Sequence, residues 1–381
     1  MHPYLTTPKT IVVGMSGGVD SSVTALLLKE MGYTVIGMFM KNWEEEINGV
    51  CSSAHDFEDV TRVATQIGIP YYAINFAKEY KEQVFAHFLS ELEKGHTPNP
   101  DILCNREIKF KLLLDACKKM GAEGLATGHY AQNCFTEGSF SLCNSLDASK
   151  DQTYFLYTLN QEILKQVLFP LGGLLKSEVR ARARAAGLPV AEKKDSTGIC
   201  FIGNRDFRAF LQQHLAFRPG QFRTLDGRKI GTHQGVAYYT IGQRRGLAIG
   251  GPGDAWFVVG KNVEENIVFI EQGSTHPALY ADQLVASSAS WVSGMAPLPL
   301  PFTLEAKIRY RQPNQPCIIE NIDGDKLYVS FPTPQRAITI QQSIVFYHEG
   351  RCLGGAVIDQ VGPSYHDMQK PLPVSNLEDH S

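Results

Sequence analysis

The first 130 or so residues alternate short apolar runs with longer amphipathic segments. The run TIVVG (10–14) predicts a strand, SSVTALLLKEMG (21–32) predicts a helix that ends at Gly32, and YTVIGMFM (33–40) predicts a second strand. The same pattern predicts helices over 54–68, 78–95 and 107–121 and strands over 71–75 and 124–128. Strands that alternate with helices predict an α/β fold, a doubly wound parallel sheet that binds ligands beyond the carboxyl ends of its strands.

After about residue 215 the pattern changes to short β-branched and aromatic runs between Gly/Pro turns. The runs are VAYYTIG, WFVVG, NIVFIEQG, TLEAKIRY, KLYVSF and SIVFYHEG. This half is predicted to be all-β, in the form of small barrels or sandwiches. The last residues, VGPSYHDMQKPLPVSNLEDHS, are typical of a disordered tail.

Composition limits the class of protein. With 381 residues the chain predicts two or three domains, and 43% hydrophobic with 20% charged residues is ordinary for a soluble protein. No apolar run approaches the ~18 residues of a membrane helix, and the N-terminus lacks the features of a signal or transit peptide. These features predict a cytoplasmic protein without a membrane partner.

Charge and cysteine content narrow the possible partners. The net charge of −3 means that any nucleic acid would have to be bound by local basic patches. Eight cysteines in a long chain without a secretion signal do not predict a disulfide framework. Cys51 and His55 are four residues apart, but the sequence has no CxxC pair, so no metal site formed by protein ligands alone is expected.

The stretch GMSGGVDSS (14–22) lies between the first predicted strand and the first predicted helix. Its glycines allow the backbone to turn its amides inward, and its serines add hydroxyl donors at a helix N-terminus, where phosphate binds well. The stretch is not a Walker A sequence, because Val19 and Asp20 stand where Lys and Ser/Thr are required, and it does not fit GxGxxG. It therefore predicts a phosphate site of another kind.

SGGVDSS matches the pyrophosphatase loop of adenylating enzymes, which include GMP synthetase, asparagine synthetase and the tRNA thiolases. This resemblance implies that ATP is cleaved between its α and β phosphates, that AMP passes to the substrate, and that Asp20 helps to organise Mg²⁺. The motif does not identify the acceptor of AMP.

Two cysteines are candidates for the acceptor chemistry. Cys104 follows NPDIL and is predicted to open a helix, where the helix dipole favours a thiolate. Cys200 lies in DSTGICFIG, a loop rather than an apolar helix face. Taken alone, each is better interpreted as a small buried hydrophobic residue.

Seven motifs in order, SGGVDSS, TPNPDILCNREIKF, ATGHYA, SKDQTYFLY, DSTGICFIG, TIGQRRGL and KIRYRQ, resemble those of the bacterial tRNA-specific 2-thiouridylases. The resemblance implies ATP-dependent 2-thiolation of the wobble uridine of tRNA, with a persulfide on Cys200 and Cys104 as nucleophile or resolving thiol. The two would form a transient disulfide. It implies tRNA and a persulfide carrier or cysteine desulfurase as partners, and ATP and Mg²⁺ as cofactors.

The resemblance also implies domains and site residues. An ATP pyrophosphatase domain would span 1–215, a central β-rich domain 216–285 and a tRNA-binding β-barrel 286–362, with the disordered tail at 363–381. The residues implied to bind ATP are Gly14, Met15, Ser16, Gly17, Gly18, Val19, Asp20, Ser21, Met40 and Gly128. Those implied to face the target base are Asn99, Pro100 and Asp101. Those implied to contact tRNA are His129, Lys150, Asp151, Gln152, Arg309, Tyr310 and Gln342.

Two other functions fit parts of the sequence. An enzyme of the same superfamily could use ammonia to amidate its substrate, and would need neither Cys104 nor Cys200. A non-catalytic RNA-binding or nucleotide-sensing protein would keep the phosphate loop but release no pyrophosphate. The basic run KSEVRARAR and the pair Arg244 and Arg245 are candidate phosphate contacts, although KSEVRARAR is equally typical of a helix with a solvated basic face.

Overall fold

The structure is a computed structural model that describes residues 3, 5, 9–44, 46–47, 50–195, 207–215 and 218–373. Cys200 and most of its predicted loop lie outside the described residues. Within the described ranges, no helix has both the length and the apolar character needed to cross a bilayer.

The strands of the first domain are β1 (Thr10–Met15), β2 (Thr34–Lys41), β3 (Glu46–Ile47), β4 (Val50–Cys51), β5 (Tyr71–Asn75), β6 (Gly124–Ala126), β7 (Gln132–Thr136), β8 (Ser139–Cys143) and β9 (Val167–Leu168). Its helices are α1 (Val19–Glu30), α2 (Ser52–Ile67), α3 (Ala77–Tyr80), α4 (Ala86–Glu93), α5 (Pro100–Leu103), α6 (Leu114–Lys119), α7 (Gln161–Leu164) and α8 (Lys176–Ala185). The π-helical segments Lys81–Phe85 and Cys104–Leu113 join α3 to α4 and α5 to α6, so two long helices result.

Five of these strands form a parallel sheet in the order β5-β2-β1-β6-β9, which confirms the predicted α/β class. Strand β1 is central, with β2 on one side and β6 on the other. The carboxyl end of β1 is therefore the switch point of the sheet, where open α/β sheets bind their ligands.

Alternate residues of β1 face opposite layers of helices. Ile11, Val13 and Met15 belong to an apolar cluster with residues of α1, α2 and α8, whereas Val12 packs with the two long helices. Both faces of the sheet are thus covered, as a parallel sheet requires. This packing fixes the strand ends from which the phosphate loop projects.

The second domain contains α9 (Phe207–Gln212) and a four-stranded sheet. Its strands are β10 (Gly220–Arg223), β11 (Lys229–His233), β12 (Trp256–Asn262) and β13 (Ile267–Gln272), in the order β11-β10-β13-β12. The run VAYYTIG, which was expected to behave as one of the β runs, instead contains a 3₁₀ turn at Val236–Tyr238. That expectation was wrong because an apolar run indicates burial, and these side chains are buried without joining a strand.

The third domain is a closed six-stranded barrel, which confirms the predicted class of the last domain. Its strands are β14 (Tyr280–Trp291), β15 (Phe302–Lys307), β16 (Gln315–Asp323), β17 (Lys326–Arg336), β18 (Ser343–His348) and β19 (Arg351–Val361). Pairing of β14 with β19 closes the barrel. The hairpin β7–β8 of the first domain joins the same sheet, because Cys143 and Leu142 pair with Arg351 and Cys352 of β19.

The ends of the barrel differ from the predicted boundaries. Strand β14 begins at Tyr280, so the barrel starts before residue 286. The first part of the predicted disordered tail, 363–373, packs against the molecule, and the Tyr365 hydroxyl donates to Asp282 at 3.1 Å. Tyr365 and Leu372 contact a small apolar cluster, which sequence polarity did not indicate. Residues 374–381 lie outside the described part of the chain.

Candidate active site

The loop between β1 and α1 makes a tight turn against α2. Gly17 has a φ of +72°, and a Cβ added there would lie 2.6 Å from the carbonyl oxygen of Asp56, so only glycine fits. The amide nitrogen of Ser16 donates to the Ser21 hydroxyl at 3.1 Å. The N-terminus of α1, with its unsatisfied amides, therefore lies at the switch point, in a geometry suited to phosphate.

Gly128 lies beside the start of α1. A Cβ at this position would lie 2.8 Å from the amide nitrogen of Ser21 and 2.9 Å from the carbonyl carbon of Asp20. The turn after β6 thus approaches the phosphate loop at backbone distance. The structure brings Gly128 together with the predicted ATP loop, although the two are about 110 positions apart in the sequence.

The Asp20 carboxylate is held by two side chains that sequence reasoning did not select for this site. Lys176, the first residue of α8, donates from Nζ to Oδ1 at 2.6 Å and to Oδ2 at 2.8 Å. The Tyr130 hydroxyl donates to Oδ1 at 3.0 Å. Lys176 is only 9% exposed, so this ion pair is weakly screened. The carboxylate is therefore fixed at the edge of the phosphate loop.

A second carboxylate, that of Asp195, forms ion pairs with three cationic side chains. It accepts hydrogen bonds from Lys150 at 2.9 Å and from Arg180 at 2.8 Å, and Lys176 Nζ lies 2.9 Å away. Burial raises the pKa of Asp195, but hydrogen bonds from Lys176 and Lys150 outweigh burial and lower it to about 2. Lys176 thus bridges two carboxylates, one on the phosphate loop and one five residues before Cys200 in the sequence.

Lys193 makes a parallel link to the phosphate loop. Its ammonium donates to the carbonyl oxygen of Gly17 at 3.1 Å and to Asp56 and Asp59 of α2 at 2.8 Å each. Burial lowers the pKa of Lys193, but the hydrogen bonds to these two carboxylates outweigh it, so the pKa lies above 10.5. The ammonium therefore stays charged at neutral pH.

Cys104 is not at the helix N-terminus that the sequence predicted. The helix begins at Pro100, and Asn99 caps it by accepting a hydrogen bond from the amide nitrogen of Asp101 at 3.2 Å. Proline is tolerated at the first helical position because its missing N–H would have no partner there. Cys104 lies one turn further on, is 2% exposed and sits in the apolar cluster of the long helices. The dipole argument for its thiolate is therefore weaker than predicted.

The three predicted target-base residues lie at the start of this helix. Pro100 is buried, and Asn99 and Asp101 are half-buried. Burial raises the pKa of the Asp101 carboxyl, and Lys109 partly offsets the effect. Lys109 also adds to the effect of burial on His129, and together they lower the pKa of that imidazole well below 6.5. His129 is therefore neutral at pH 7 and would contact RNA as a hydrogen-bonding group rather than as a cation.

Three of the predicted tRNA contacts come from the barrel, and two of these contact residues that adjoin the helix of Cys104. The Gln342 side chain donates from Nε2 to the carbonyl oxygen of Thr97 at 2.6 Å. The Tyr310 ring lies 4.4 Å from the ring of Phe155, whose carbonyl oxygen accepts a hydrogen bond from Asn105 at 3.0 Å. Arg309 is half-buried, and its pKa is lowered mainly by burial and further by the positive charge of Arg336.

Two other predicted tRNA residues make internal contacts. Asp151 is 6% exposed and accepts a hydrogen bond from the amide nitrogen of Ser145 at 2.7 Å, so its carboxylate points into the protein. Gln152 accepts a hydrogen bond from the amide nitrogen of Tyr130 at 2.9 Å. Gln152 thus supports the turn that carries Tyr130, and contact with RNA stays a prediction for both residues.

The two predicted adenosine-site methionines differ in placement. Met15 is 2% exposed, and its Sδ would lie 2.7 Å from a Cβ at Gly37 of β2. Its side chain therefore packs in the apolar cluster on one face of the sheet. Met40 is half-buried near the carboxyl end of β2 and packs against the cluster that contains Cys104. Of the two, Met40 is better placed to meet a ligand at the switch point.

Three family models match consecutive parts of the chain. The first is described as a tRNA methyl transferase HUP domain and matches residues 9–204. The second, a tRNA methyl transferase PRC-barrel domain, matches 208–272, and the third, an aminomethyltransferase beta-barrel domain, matches 281–358. These ranges correspond to the parallel-sheet domain, the four-stranded domain and the closed barrel.

Curated relatives match nearly the whole chain. The tRNA-specific 2-thiouridylase MnmA of Protochlamydia amoebophila is 62% identical over 367 residues, which are 96% of this chain and 97% of the relative. This chain belongs to the tRNA-specific 2-thiouridylase family. The 2-thiouridylases of Exiguobacterium sibiricum and Staphylococcus carnosus are each 55% identical over 92% of this chain, and 94% and 95% of their own lengths are covered.

In this 2-thiouridylase family member, sequence reasoning missed the charged residues that support the phosphate loop. Lys176 is the lysine of KSEVRARAR, which was considered only as a possible RNA contact. Lys193 and Asp195 belong to KKDS, next to the predicted Cys200 loop. The sequence did give one indication of these residues, because they are ionisable and lie beside predicted motifs. Their pairing with Asp20 and Asp56 depends on tertiary contacts, which the sequence does not show.

Proposed function

We propose that this protein catalyses the ATP-dependent 2-thiolation of the wobble uridine of tRNA, as an AMP- and pyrophosphate-forming tRNA-uridine 2-sulfurtransferase. The observation that carries the proposal is the SGGVDSS loop at the switch point, with Asp20 fixed by Lys176 and Tyr130. Membership of the 2-thiouridylase family supports uridine of tRNA as the acceptor of AMP. The C2 oxygen of uridine is a poor leaving group, and its adenylation makes displacement by sulfur feasible.

ATP would bind with its phosphates at the amides of Ser16–Ser21 and its adenosine toward Met40 and Gly128. The residues present fit Mg²⁺, because Asp20 supplies a carboxylate beside the expected phosphates, and Mg²⁺ usually binds through one or two carboxylates together with phosphate oxygens. When bound, Mg²⁺ would neutralise phosphate charge. Lys176 would hold the Asp20 carboxylate in place, and Tyr130 would restrict its rotation.

The sulfur step would use Cys200 and Cys104. A carrier protein or cysteine desulfurase would leave a persulfide on Cys200, and its terminal sulfur would attack C2 and displace AMP. The Cys104 thiolate would then attack Sγ of Cys200, which breaks the bond to the transferred sulfur and forms a Cys104–Cys200 disulfide. The product keeps the sulfur on C2. The two thiols lose two electrons, so a dithiol reductant must reduce the disulfide before the next turnover.

tRNA would be bound across the first domain and the barrel. From the barrel, Gln342 contacts Thr97 just before the helix of Cys104, and Tyr310 contacts Phe155, which accepts a hydrogen bond from that helix. From the first domain, Lys150 lies beside Asp195, so protein groups from both domains lie near the proposed site. Asn99 and Asp101 would contact the target uridine, which must leave its stack for chemistry at C2.

The test supplies ATP, Mg²⁺, unmodified tRNA and a protein persulfide, and measures 2-thiouridine and pyrophosphate together. Wild-type protein should form both, and Cys104→Ala and Cys200→Ala should lose 2-thiouridine. Cys117→Ala is the matched control, because Cys117 is 1% exposed on the same long helix and burial raises its thiol pKa to about 12.

Other outcomes identify other functions. Thiolation retained in either cysteine variant would contradict the assignment of that cysteine. Pyrophosphate without a sulfur product would favour amidation with ammonia, and neither product would favour a binding protein. Methylated tRNA formed with a methyl donor would favour the reaction named in the family-model descriptions, which gives the pyrophosphatase-type loop no role.

A further inference from the structure

The segment 95–99, which leads into the helix of Cys104, is contacted by the second domain. Lys261 of β12 donates from Nζ to the carbonyl oxygen of Gly95 at 2.7 Å. The ammonium is largely enclosed, and burial lowers the pKa of Lys261 to about 8. Burial of a lysine carries an energetic cost, so this hydrogen bond must compensate for lost hydration.

Gly95 also packs closely against the side chain of Val263, the second residue after Lys261 in the chain. Gly95 has a φ of +76°, and a Cβ there would lie 2.4 Å from Cγ2 of Val263. A residue with a side chain would be strained at this φ, and its Cβ would force the Val263 side chain or the segment to move. Glycine at position 95 therefore favours the backbone conformation in which its carbonyl oxygen meets Lys261.

The barrel contacts the same segment two residues later. The amide nitrogen of Thr97 donates to the carbonyl oxygen of Ile340 at 3.4 Å, and Gln342 donates to the Thr97 carbonyl oxygen at 2.6 Å. The hydroxyls of Thr97 and Thr240, in the second domain, lie 3.4 Å apart. Hydrogen bonds from both β domains thus converge on a segment of the first domain.

A cavity of about 390 Å³ lies at this junction, bordered by residues 94–97, Lys261, Val263 and 337–340. Because of this space, side-chain packing does not enclose the segment on that side. Hydrogen bonds such as that from Lys261 therefore carry more of its positioning than they would in a filled core.

We propose that Lys261 is a positioning residue for the thiolation reaction. By fixing Gly95, it sets the path of 95–99 and hence the position of the Asn99 cap and of Cys104 relative to the target base. The second domain would then influence the active site through this segment, besides connecting two domains. This inference rests on the proposed function of Cys104.

The experiment compares Lys261→Met, which keeps most of the aliphatic stem and removes the donor, with Lys261→Arg, which restores a donor. Lys229→Met, at an exposed lysine of the same domain, is the control. In Lys261→Met the kcat of thiolation should fall roughly tenfold, less than the ~100-fold that a full 1 Å misplacement of reacting groups costs, while the KM for ATP stays within about twofold. Lys261→Arg should recover part of the rate.

Hydrogen exchange over 95–105 supplies an independent readout. It should speed up in Lys261→Met and stay unchanged in Lys229→Met, with β1 and β18 protected in both. Unchanged kcat and unchanged exchange in Lys261→Met would overturn the inference. If wild-type protein formed no 2-thiouridine, the proposed function would fail, and exchange would still decide whether Lys261 fixes the segment. Should Lys261→Met not fold, Gly95→Ala tests the same contact from the other side.

Discussion

At the scale of single residues, glycine is required at position 128 because the backbone there lies against the backbone at the start of α1. Its position leaves no room for a side chain against Ser21 and Asp20. The two nearest atoms that a Cβ would meet belong to the backbone at the start of α1, so they cannot move aside as a flexible side chain would. Any larger residue at 128 must displace the phosphate loop itself.

Gly128→Ala is therefore expected to raise the KM for ATP about tenfold and to lower the free energy of unfolding by about 1–3 kcal/mol, the usual cost of overpacking. Pyrophosphate release at varied ATP and urea unfolding measure the two effects. Gly173→Ala is the control, because a Cβ there meets nothing within 4 Å. An unchanged KM in Gly128→Ala would mean that the phosphates bind elsewhere.

The Asp195 carboxylate predicts a dependence of stability on pH. Its pKa is about 2 in the folded protein, below the ordinary value of 3.8, so the charged form is favoured by folding. The contribution is present above about pH 4 and is lost as the pH falls toward 2. Because Asp195 is about a third exposed, solvent screening reduces this contribution to about 1 kcal/mol.

Asp195→Asn should therefore unfold about 1 kcal/mol more easily than wild type at pH 7, and this difference should shrink toward zero between pH 4 and pH 2. Urea unfolding across this range measures it. Glu192→Gln, at a side chain that is 77% exposed, should change little at any pH. A difference that persists at pH 2 would show that the charge of Asp195 is not its cause.

At the scale of elements, the long helix that starts at Pro100 is capped by Asn99, which is also a candidate contact to the target base. The Asn99 side chain accepts a hydrogen bond from the amide nitrogen of Asp101, and the resemblance assigns Asn99 to the target uridine. The two roles can be separated, because serine also caps helices but is shorter than asparagine and lacks its amide.

Asn99→Ala should lose about 1 kcal/mol of unfolding free energy, the typical value of a cap, together with thiolation. Asn99→Ser should keep wild-type stability and still lose thiolation at least tenfold. Thermal unfolding and the 2-thiouridine assay give the two quantities. Full thiolation in Asn99→Ser would limit Asn99 to capping.

The sequence predicted those elements and site features that depend on neighbours in the chain. The strand TIVVG, the turn at Gly17 and the helix after it follow from residues within a few positions of one another. The link from Lys176 to Asp20 joins positions 156 apart, and that from Lys261 to Gly95 joins positions 166 apart, so no local pattern indicates them. Cys104 was expected to open a helix, but Pro100 four residues earlier already occupies the first helical position, where proline is well tolerated.

At the scale of the whole molecule, the first domain and the barrel are joined by more than a linker. Beside the β8–β19 pairing, the Tyr154 hydroxyl donates to the carbonyl oxygen of Ser343 at 2.9 Å. The Tyr157 ring packs on Gly355, where a Cβ would lie 2.8 Å from Cδ2 of the ring. These contacts predict that the two domains unfold together.

Gly355→Ala should lower the free energy of unfolding by about 1–3 kcal/mol through overpacking against Tyr157 and the carbonyl oxygen of Ile344. Hydrogen exchange in denaturant should show β1 and β18 losing protection at the same, lower urea concentration. Gly250→Ala, where a Cβ meets nothing within 4 Å, should match wild type. Loss of protection in β18 alone would mean that the barrel unfolds independently.

The shared sheet also has a consequence for dividing the protein. A fragment that ended near residue 215 would lose β19 and leave the outer side of β8 around Leu142 as an open sheet edge. Leu142 is completely buried in the intact chain, so removal of the barrel would uncover an apolar residue together with unpaired N–H and C=O groups. Such edges pair with one another. The first domain produced alone is therefore expected to aggregate, even though its sequence contains the complete phosphate loop and both cysteines.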